Sequence, residues 1–215
     1  MRRFAAVSLF ALGLGCRGGE VTKEEEPVRI KHTTPRPEGE RKTLAVVDFH
    51  DKSGYGQGRI GHSAADVLAN YLFKAQQFVM VDRQQIDKVL KEQQFEHSGV
   101  TDDATAVKLG RLLNVQFLAY GAVTNFGMRE EATEAIVYQQ KEQIAECSVA
   151  VRLISVETGQ ILFMEMGDGK ATRRVSGSMG LGGRMSYDET LAGNSLRAAI
   201  AKFVDKLIDA AYAGR

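Results

Sequence analysis

Apolar and polar positions alternate along the chain in blocks that predict strands separated by amphipathic helices. Residues 43–49 and 78–81 are short apolar runs with the length of a buried strand, and residues 115–123 form a third. Around them, apolar residues recur at the three- and four-residue spacing of a helix that packs one face against a sheet. These positions are Ala64, Ala65, Leu68, Tyr71, Leu72 and Ala75, then Ile86, Val89 and Leu90, then Ala106, Leu109, Gly110 and Leu113. Such alternation indicates parallel strands covered by helices.

Polar residues at the edges of these blocks mark where the helices begin. Asp82 is predicted to cap the second helix, with Gln85 at the capping-box position. Thr101, Asp102 and Asp103 are expected to start the third helix, where acidic side chains suit the positive end of the helix dipole.

The second half of the chain predicts antiparallel strands and a final helix. Apolar residues alternate from Ser148, residues 157–160 read as a hairpin turn, and residues 161–166 form the returning strand. Residues 126–146 are polar and fit either a strand extension or a mobile hairpin. Ser186 and Glu189 form a capping box for one long helix that ends near Ala213. Its apolar stripe is Leu196, Ala199, Ile200, Phe203 and Leu207.

These elements predict one α/β domain over residues 42–213. Its sheet should be mixed, with parallel core strands and an antiparallel hairpin, and helices on both faces should make it three-layered. Composition agrees with a single globular domain, at 44% hydrophobic and 26% charged residues. The net charge of +1 excludes the basic surface of a nucleic-acid-binding protein.

The residues before this domain predict an exported, membrane-anchored protein. Residues 1–15 combine Arg2 and Arg3 with a short apolar run, as a signal peptide does, and that run ends at Cys16. We predict that Cys16 is acylated, as in a bacterial lipoprotein; the alternative is an ordinary secretory signal with an incidental cysteine. Residues 16–41 hold all three prolines and lack apolar periodicity, which predicts a disordered tether.

One glycine pattern suggests nucleotide chemistry. Gly56, Gly58 and Gly61 give G-x-G-x-x-G between a strand and a helix, and Asp82 follows 21 residues after Gly61. On spacing alone this is a dinucleotide-binding fingerprint. However, residues 50–55 separate the first glycine from the strand, whereas the fingerprint needs it almost directly after the strand. The favoured interpretation is a loop followed by an acid that caps a helix.

Other candidate chemistry is weaker. His50, Asp51 and His62 have no zinc-ligand spacing, and His97 is distant in the chain, so we interpret them as surface residues. Cys147, at the edge of a strand pattern, is interpreted as a half-buried apolar residue. We therefore expect no catalytic residues, no metal site and no cofactor.

The order and spacing of the blocks resemble the CsgG/HfaB lipoprotein family. The resemblance covers residues 43–213. It rests on residues 44–49, Ser53-Gly54, residues 78–83 followed by Ile86, Leu90 and Glu92-Gln93, Ser98-Gly99, and residues 107–121 and 155–161. It implies a periplasmic α/β domain carried at the outer membrane by an acylated cysteine; the best-known member forms an oligomeric ring that secretes curli subunits through a β-barrel.

The chain departs from the channel members where their membrane hairpins lie. Residues 128–146 carry seven charged side chains, and residues 175–187 alternate but are about one strand long. A lipid-facing ribbon needs one continuous apolar face. We therefore expect no complete transmembrane barrel.

The functional expectation is an envelope lipoprotein that works as a homo-oligomer in assembly or secretion, with an unidentified envelope protein as partner and the membrane reached through the lipid anchor. The alternative is a monomeric binding module like the LpoB-type activators of peptidoglycan synthases, for which a long tether gives reach. A nucleotide-dependent enzyme is the third and least favoured class.

Overall fold

A mixed sheet lies at the centre of the computed structural model, which describes residues 30–55, 58–92, 102–135, 138–176 and 189–213. The strands are β1 (Lys42–Val46), β2 (His50–Asp51), β3 (Phe78–Met80), β4 (Phe117–Ala135), β5 (Tyr138–Ser155) and β6 (Ile161–Ser176). The helices are α1 (Arg59–Ala75), α2 (Arg83–Glu92), α3 (Asp103–Leu112), α4 (Glu189–Ala201) and α5 (Val204–Ala213). A short 3₁₀ turn, Glu38–Glu40, precedes β1.

The sheet has the predicted mixture of strand directions. Its order is β3-β1-β4-β5-β6, and β2 pairs with β4 off this path. The pairs β1–β3, β1–β4 and β2–β4 are parallel, whereas β4–β5 and β5–β6 are antiparallel. The mixed α/β fold class is therefore confirmed. The strand β2 was not predicted, because His50 and Asp51 were read as part of a loop.

Two main cores, one on each face of the sheet, make the domain three-layered. On one face, α1, α4 and α5 cover a cluster that includes Leu68, Leu153 and Phe203. On the other face, α2 and α3 cover a smaller cluster that includes Leu109 and Ile154. Every apolar helix position that the sequence pattern assigned to α3 and α4 is buried. No helix in the described ranges is both long and apolar enough to span a membrane.

Local polar signals also act as predicted. The Asp82 carboxylate accepts a hydrogen bond from the Gln84 amide (2.8 Å), and Asp102 accepts one from the Thr105 amide (2.9 Å). That bond lowers the pKa of Asp102. Gly159 in the β5–β6 turn has a φ of +73°, which only glycine adopts without strain. Ser98-Gly99 and Thr101 lie outside the described residues.

The polar region 126–146 is a strand extension, the first of the two predicted possibilities. β4 continues through a bulge between Val123 and Asn125, and its register with β5 runs on to Ala135 opposite Tyr138. The bulge shifts the alternation by one residue, so Phe126 keeps facing the larger core. Of the alternating region 175–187, residues 177–187 lie outside the described residues.

The prediction of one long C-terminal helix is wrong. The described part contains α4 and α5, separated at Lys202 and Phe203. There the amides of Lys202 and Phe203 bond back three residues, to Ala199 and Ile200, which tightens the last turn of α4. Phe203, at the break, is fully buried in the larger core. Packing against the sheet, rather than a glycine or proline, therefore sets the break. Ser186 of the predicted capping box lies outside the described residues.

Two glycines of β6 set the distance between α4 and the sheet. A Cβ atom built on Gly169 would lie 1.9 Å from the Ser195 carbonyl oxygen, and one on Gly167 would lie 2.3 Å from that of Ala199. The backbone of α4 thus rests directly on β6 with no side chain between them.

Candidate functional site

The two described glycines of the glycine pattern, Gly58 and Gly61, serve loop structure and packing at the start of α1. Gly61 lies so close to the loop after β1 that a Cβ atom would be 2.0 Å from the Phe49 carbonyl oxygen. Gly58 precedes α1 with a φ of +86°. Its amide, at the start of the helix, donates to the Asp51 carboxylate (3.2 Å), which also accepts from the Ser53 amide and hydroxyl. An internal acid therefore occupies the position where a bound pyrophosphate would need amide donors. Gly56 lies outside the described residues.

The predicted acidic partner of a nucleotide is also engaged within the protein. Asp82 directs its carboxylate to the first turn of α2, where it caps the helix. The described glycines and Asp82 thus have local structural roles, in agreement with the interpretation of a loop followed by an acid that caps a helix.

A charged cluster lies where β1 and β3 end, and the sequence analysis did not identify it. Arg83, at the start of α2, bonds to Asp48 after β1 and to Asp66 on α1 (Nη1–Oδ1, 3.0 Å). His62 of α1 has its Nδ1 atom 2.7 Å from Arg83 Nη2 and its Nε2 atom 3.5 Å from Asp66 Oδ2. Asp48 follows β1, and Arg83 follows β3 at the start of α2. The cluster therefore joins these two segments to α1 at the carboxyl ends of the parallel strands.

The charges of this cluster compensate one another, as they do in a structural ion-pair network. Burial opposes the charge on Arg83, but the bond to Asp48 and the charges of Asp48, Asp66 and Asp87 together raise its pKa. The carboxylates are thus already paired with a guanidinium. The described residues hold no group of three or more His, Cys, Asp or Glu side chains arranged for a metal. His97 lies outside the described residues.

A second polar group joins α3 to the sheet on the opposite face. The Tyr120 hydroxyl donates to Asp103, and Arg152 lies 3.4 Å from the same carboxylate. Burial, followed by the bond to Asp103, raises the pKa of Tyr120 to about 12. The first turn of α3 is thereby held against β4 and β5.

Cys147 is fully buried rather than half-buried. It lies within β5, opposite Phe126 on one side and Gly169 on the other. Burial raises the pKa of the thiol, which keeps it protonated and unreactive. Cys16, the predicted lipidation site, lies outside the described residues.

Part of one sheet face is left uncovered by α2 and α3. Among the described side chains of β6, none belongs to the core cluster beneath those helices. Met164 and Met166 of β6 point to that face, opposite Arg152 and Ala150 of β5, and their side chains are 64% and 58% exposed. Two large apolar residues side by side on an open sheet face are typical of a contact surface.

The strands at the two ends of the sheet are β3 and β6. Within the described ranges, no strand pairs with the outer side of β6 or of β3. At the β3 end, Val79 is 47% exposed, and Phe73 near the end of α1 is also exposed. An edge strand presents unpaired amides and carbonyls to any incoming strand. In the described part of the chain, the strand at each end of the sheet thus has an unpaired outer edge with exposed apolar side chains near it, and neither feature was evident from hydrophobic periodicity.

The far end of the β4–β5 hairpin is charged on the sheet face that carries Met164 and Met166. Arg129 bonds to Glu131 (Nε–Oε1, 3.1 Å) and to Glu146 (Nη2–Oε1, 3.0 Å), and Lys170 lies 3.7 Å from Glu146. The hydrogen bond that Arg129 donates to Glu146 is the largest cause that raises the pKa of Arg129, and the same bond lowers the pKa of Glu146. The sheet face is therefore apolar at the base of β6 and ionic further along.

Known proteins resemble this chain over most of its length. A putative lipoprotein of Neisseria meningitidis serogroup B is 27% identical over 216 residues, which is 96% of this chain and 90% of the relative. Among solved structures, lipoprotein GNA1162 from Neisseria meningitidis has a TM-score of 0.44 and 18% identity, and covers 76% of this chain and 99% of its own. The C-terminal domain of LpoB from Salmonella enterica has a TM-score of 0.40 and 16% identity, and covers 59% and 81%.

The family itself is given by a sequence profile. The profile of the curli production assembly/transport component CsgG matches residues 25–215. The family is described as an assembly/transport component, and the 27% identical relative as a putative lipoprotein. These two sequence matches support a lipoprotein-type module. The match spans most of the chain, and the chain therefore belongs to the CsgG family.

Proposed function

We propose that this protein is a periplasmic lipoprotein, anchored at the outer membrane through Cys16, that assembles with copies of itself as a component of an envelope assembly or secretion system. The observation that carries the proposal is the pair of end strands whose outer edges are unpaired among the described residues, with exposed apolar side chains nearby: Met164 and Met166 at one end and Val79 at the other. The description of the family as an assembly/transport component supports the same role.

The geometry of the two edges favours a head-to-tail contact. β3 and β6 are at opposite ends of the strand order. A copy can therefore use its β3 edge to contact one neighbour and its β6 edge to contact another. When two different surfaces of one chain meet, each added copy leaves one surface free, and the result is a closed ring or an open filament. A two-fold dimer would instead use one edge twice.

The ionic face of the hairpin supports an assembly that does not cross the membrane on its own. Arg129, Glu131, Glu146 and Lys170 share the face that continues from the methionines. A lipid-facing Arg or Lys at the middle of a bilayer costs about 2–4 kcal/mol in a barrel strand. We therefore place these charges in water or against a protein partner.

The oligomer is tested by light scattering after size-exclusion chromatography of the mature full-length protein in detergent. We expect the wild type to form a defined oligomer. Met164→Asp/Met166→Asp at one end and Val79→Asp at the other should each give monomers, because a buried, unpaired carboxylate is unfavourable in an apolar contact. Leu112→Asp is the matched control: Leu112 is 44% exposed but belongs to α3, not to either end strand.

Mixing the two edge variants tests the head-to-tail arrangement. Each variant keeps one intact edge, so an equimolar mixture should form a one-to-one dimer and nothing larger. If a mixture gives no dimer, the contact is not between these two edges. If the wild type is a monomer at every concentration, the oligomer is rejected, and the monomeric binding module becomes the better reading.

Anchoring is tested independently. Mass spectrometry of the mature N-terminus from membranes should find Cys16 as the first residue, carrying acyl chains on both its thiol and its amine. More than one chain is needed for stable anchoring. A free Cys16, or cleavage at another residue, would reject the anchor while leaving the oligomer open to the test above.

A further inference from the structure

The last helix carries a second stripe of side chains beside the stripe that it buries in the core, and one member of it, Tyr212, also packs against that core. Leu207, Ile208 and Ala211 of α5 are buried against the domain. Asp205, Asp209 and Tyr212, spaced four and three residues apart, form a separate stripe along the helix. The described residues that precede β1 run along this stripe.

The early part of this segment is held by the two acids. The Lys31 amide donates to both oxygens of the Asp205 carboxylate (2.9 and 3.1 Å). His32 Nε2 lies 3.0 Å from Asp209 Oδ1. Ile30 packs against the larger core cluster. A carboxylate that accepts backbone donors makes a strong, directional hydrogen bond.

The later part of the segment is held by Tyr212 and by the turn between α1 and β3. The Arg36 guanidinium carbon lies 3.7 Å from the centre of the Tyr212 ring, a close cation–π contact. The Arg36 amide donates to the Gln76 carbonyl (3.2 Å), and the Gln77 side-chain amide donates to the Thr34 carbonyl (2.8 Å). Gln77 is itself buried. The segment is thus fixed at both ends by side-chain and main-chain bonds.

We propose that α5 is a docking surface for the chain's own residues 30–36, and that this strap sets the point at which the chain leaves the folded domain towards the membrane. The composition of residues 16–41 predicted a disordered tether throughout. Of these residues, 30–41 lie in the part of the chain that the structure describes, where residues 30–36 make the contacts given above, and residues 16–29 lie outside it.

The docked strap shortens the reach of the domain. With a free tether, the 26 residue steps from Cys16 to Lys42 could span at most about 90 Å, whereas the 14 steps from Cys16 to Ile30 span at most about 50 Å. It also places the membrane connection beside Asp205, on the side of the sheet that carries α1, α4 and α5. This statement about reach rests on the proposed anchoring at Cys16, but the docking does not.

Amide hydrogen exchange of the mature full-length protein in detergent micelles tests the docking. In the wild type, the amides of Lys31 and Arg36 should exchange at least about a hundredfold more slowly than in an unstructured peptide, because both are hydrogen bonded. Asp205→Ala should speed exchange at Lys31 about tenfold or more, without changing exchange within α4. Lys206→Gln is the matched control, since Lys206 is on α5 but pairs with Glu165 of β6 (2.6 Å).

The outcomes separate the parts of the proposal. Unprotected amides at Lys31 and Arg36 in the wild type would overturn the docking, and so would an equal effect of Lys206→Gln. Neutron reflectometry of the acylated protein on a supported bilayer should place the domain within about 50 Å of the membrane surface and farther away for Asp205→Ala. If Asp205→Ala leaves the distance between the domain and the membrane unchanged, the proposed shortening of the tether is wrong. A monomeric protein would reject the proposed assembly and leave the strap intact.

Discussion

Gly169→Ala tests whether α4 rests directly on β6. The new Cβ atom would lie 1.9 Å from the Ser195 carbonyl oxygen and 2.6 Å from the Ala199 amide nitrogen. Ordinary contacts begin near 3.4 Å, so the helix backbone would have to move by about 1.5 Å. Overpacking of this kind costs about 1–3 kcal/mol. Because both obstructing atoms are backbone, which cannot rotate away, we expect a loss near the upper end, about 3 kcal/mol.

Urea unfolding followed by circular dichroism measures this loss. With a denaturant slope of about 2 kcal/mol/M, a loss of about 3 kcal/mol moves the midpoint down by about 1.5 M. Gly127→Ala is the matched control, because Gly127 also lies in a long strand but has nothing within 4 Å of the added Cβ atom. That variant should be as stable as the wild type or slightly more stable.

A Gly169→Ala midpoint within about 0.3 M of the wild type would refute the reasoning, since the close approach of α4 to β6 would then not exist in solution. A comparable loss in Gly127→Ala would refute it in another way. It would mean that any glycine in these strands is sensitive, whatever lies over it.

Three further predictions follow from the core, the titrating groups and the charged hairpin. Leu68→Ala and Ile200→Ala should each lower the free energy of unfolding by about 2–5 kcal/mol, because both side chains are fully buried. Arg59 is exposed, so Arg59→Ala should change it by no more than about 0.5 kcal/mol. Denaturant melts that rank these variants in the reverse order would contradict this assignment. The pKa of Tyr120 is raised in the folded state, so its contribution to stability is complete below about pH 10 and is lost as the pH rises through about 12. In a spectrophotometric titration at 295 nm, the wild type should therefore show a late-ionising phenol that Tyr120→Phe lacks, and identical curves would disprove it. In planar bilayers the acylated protein should give no stable conductance, and reproducible single-channel steps would restore the secretion-channel function.

Much of the local structure could be predicted because it depends on neighbours in sequence. The caps at Asp82 and Asp102, the turn at Gly159 and the apolar stripe of α3 are all short-range patterns, and the structure shows each of them. The mixed sheet followed from the change of period between the two halves of the chain. These signals record which side of each element is buried, and that is enough to give the fold class.

The candidate site was harder to predict, because its contacts join residues far apart in sequence. Arg83 meets Asp48 across 35 positions, and Lys31 meets Asp205 across 174. A charged residue in such a pair has the same sequence signature as one facing water. Likewise, the exposure of Met164 depends on where α2 and α3 end, which periodicity within β6 does not record.

The amino-acid sequence by itself determined the positions of the strands other than β2, the buried helix faces, their caps and the mixed character of the sheet, since hydrophobic burial and backbone capping act over a few residues. Only the tertiary structure decided how far the polar strands β4 and β5 continue, where the final helix breaks, and how residues 30–36 dock on α5. In each of these cases the backbone had more than one acceptable local conformation. Packing at Phe203, cross-strand pairing beyond Phe126 and the acids of α5 selected one of them.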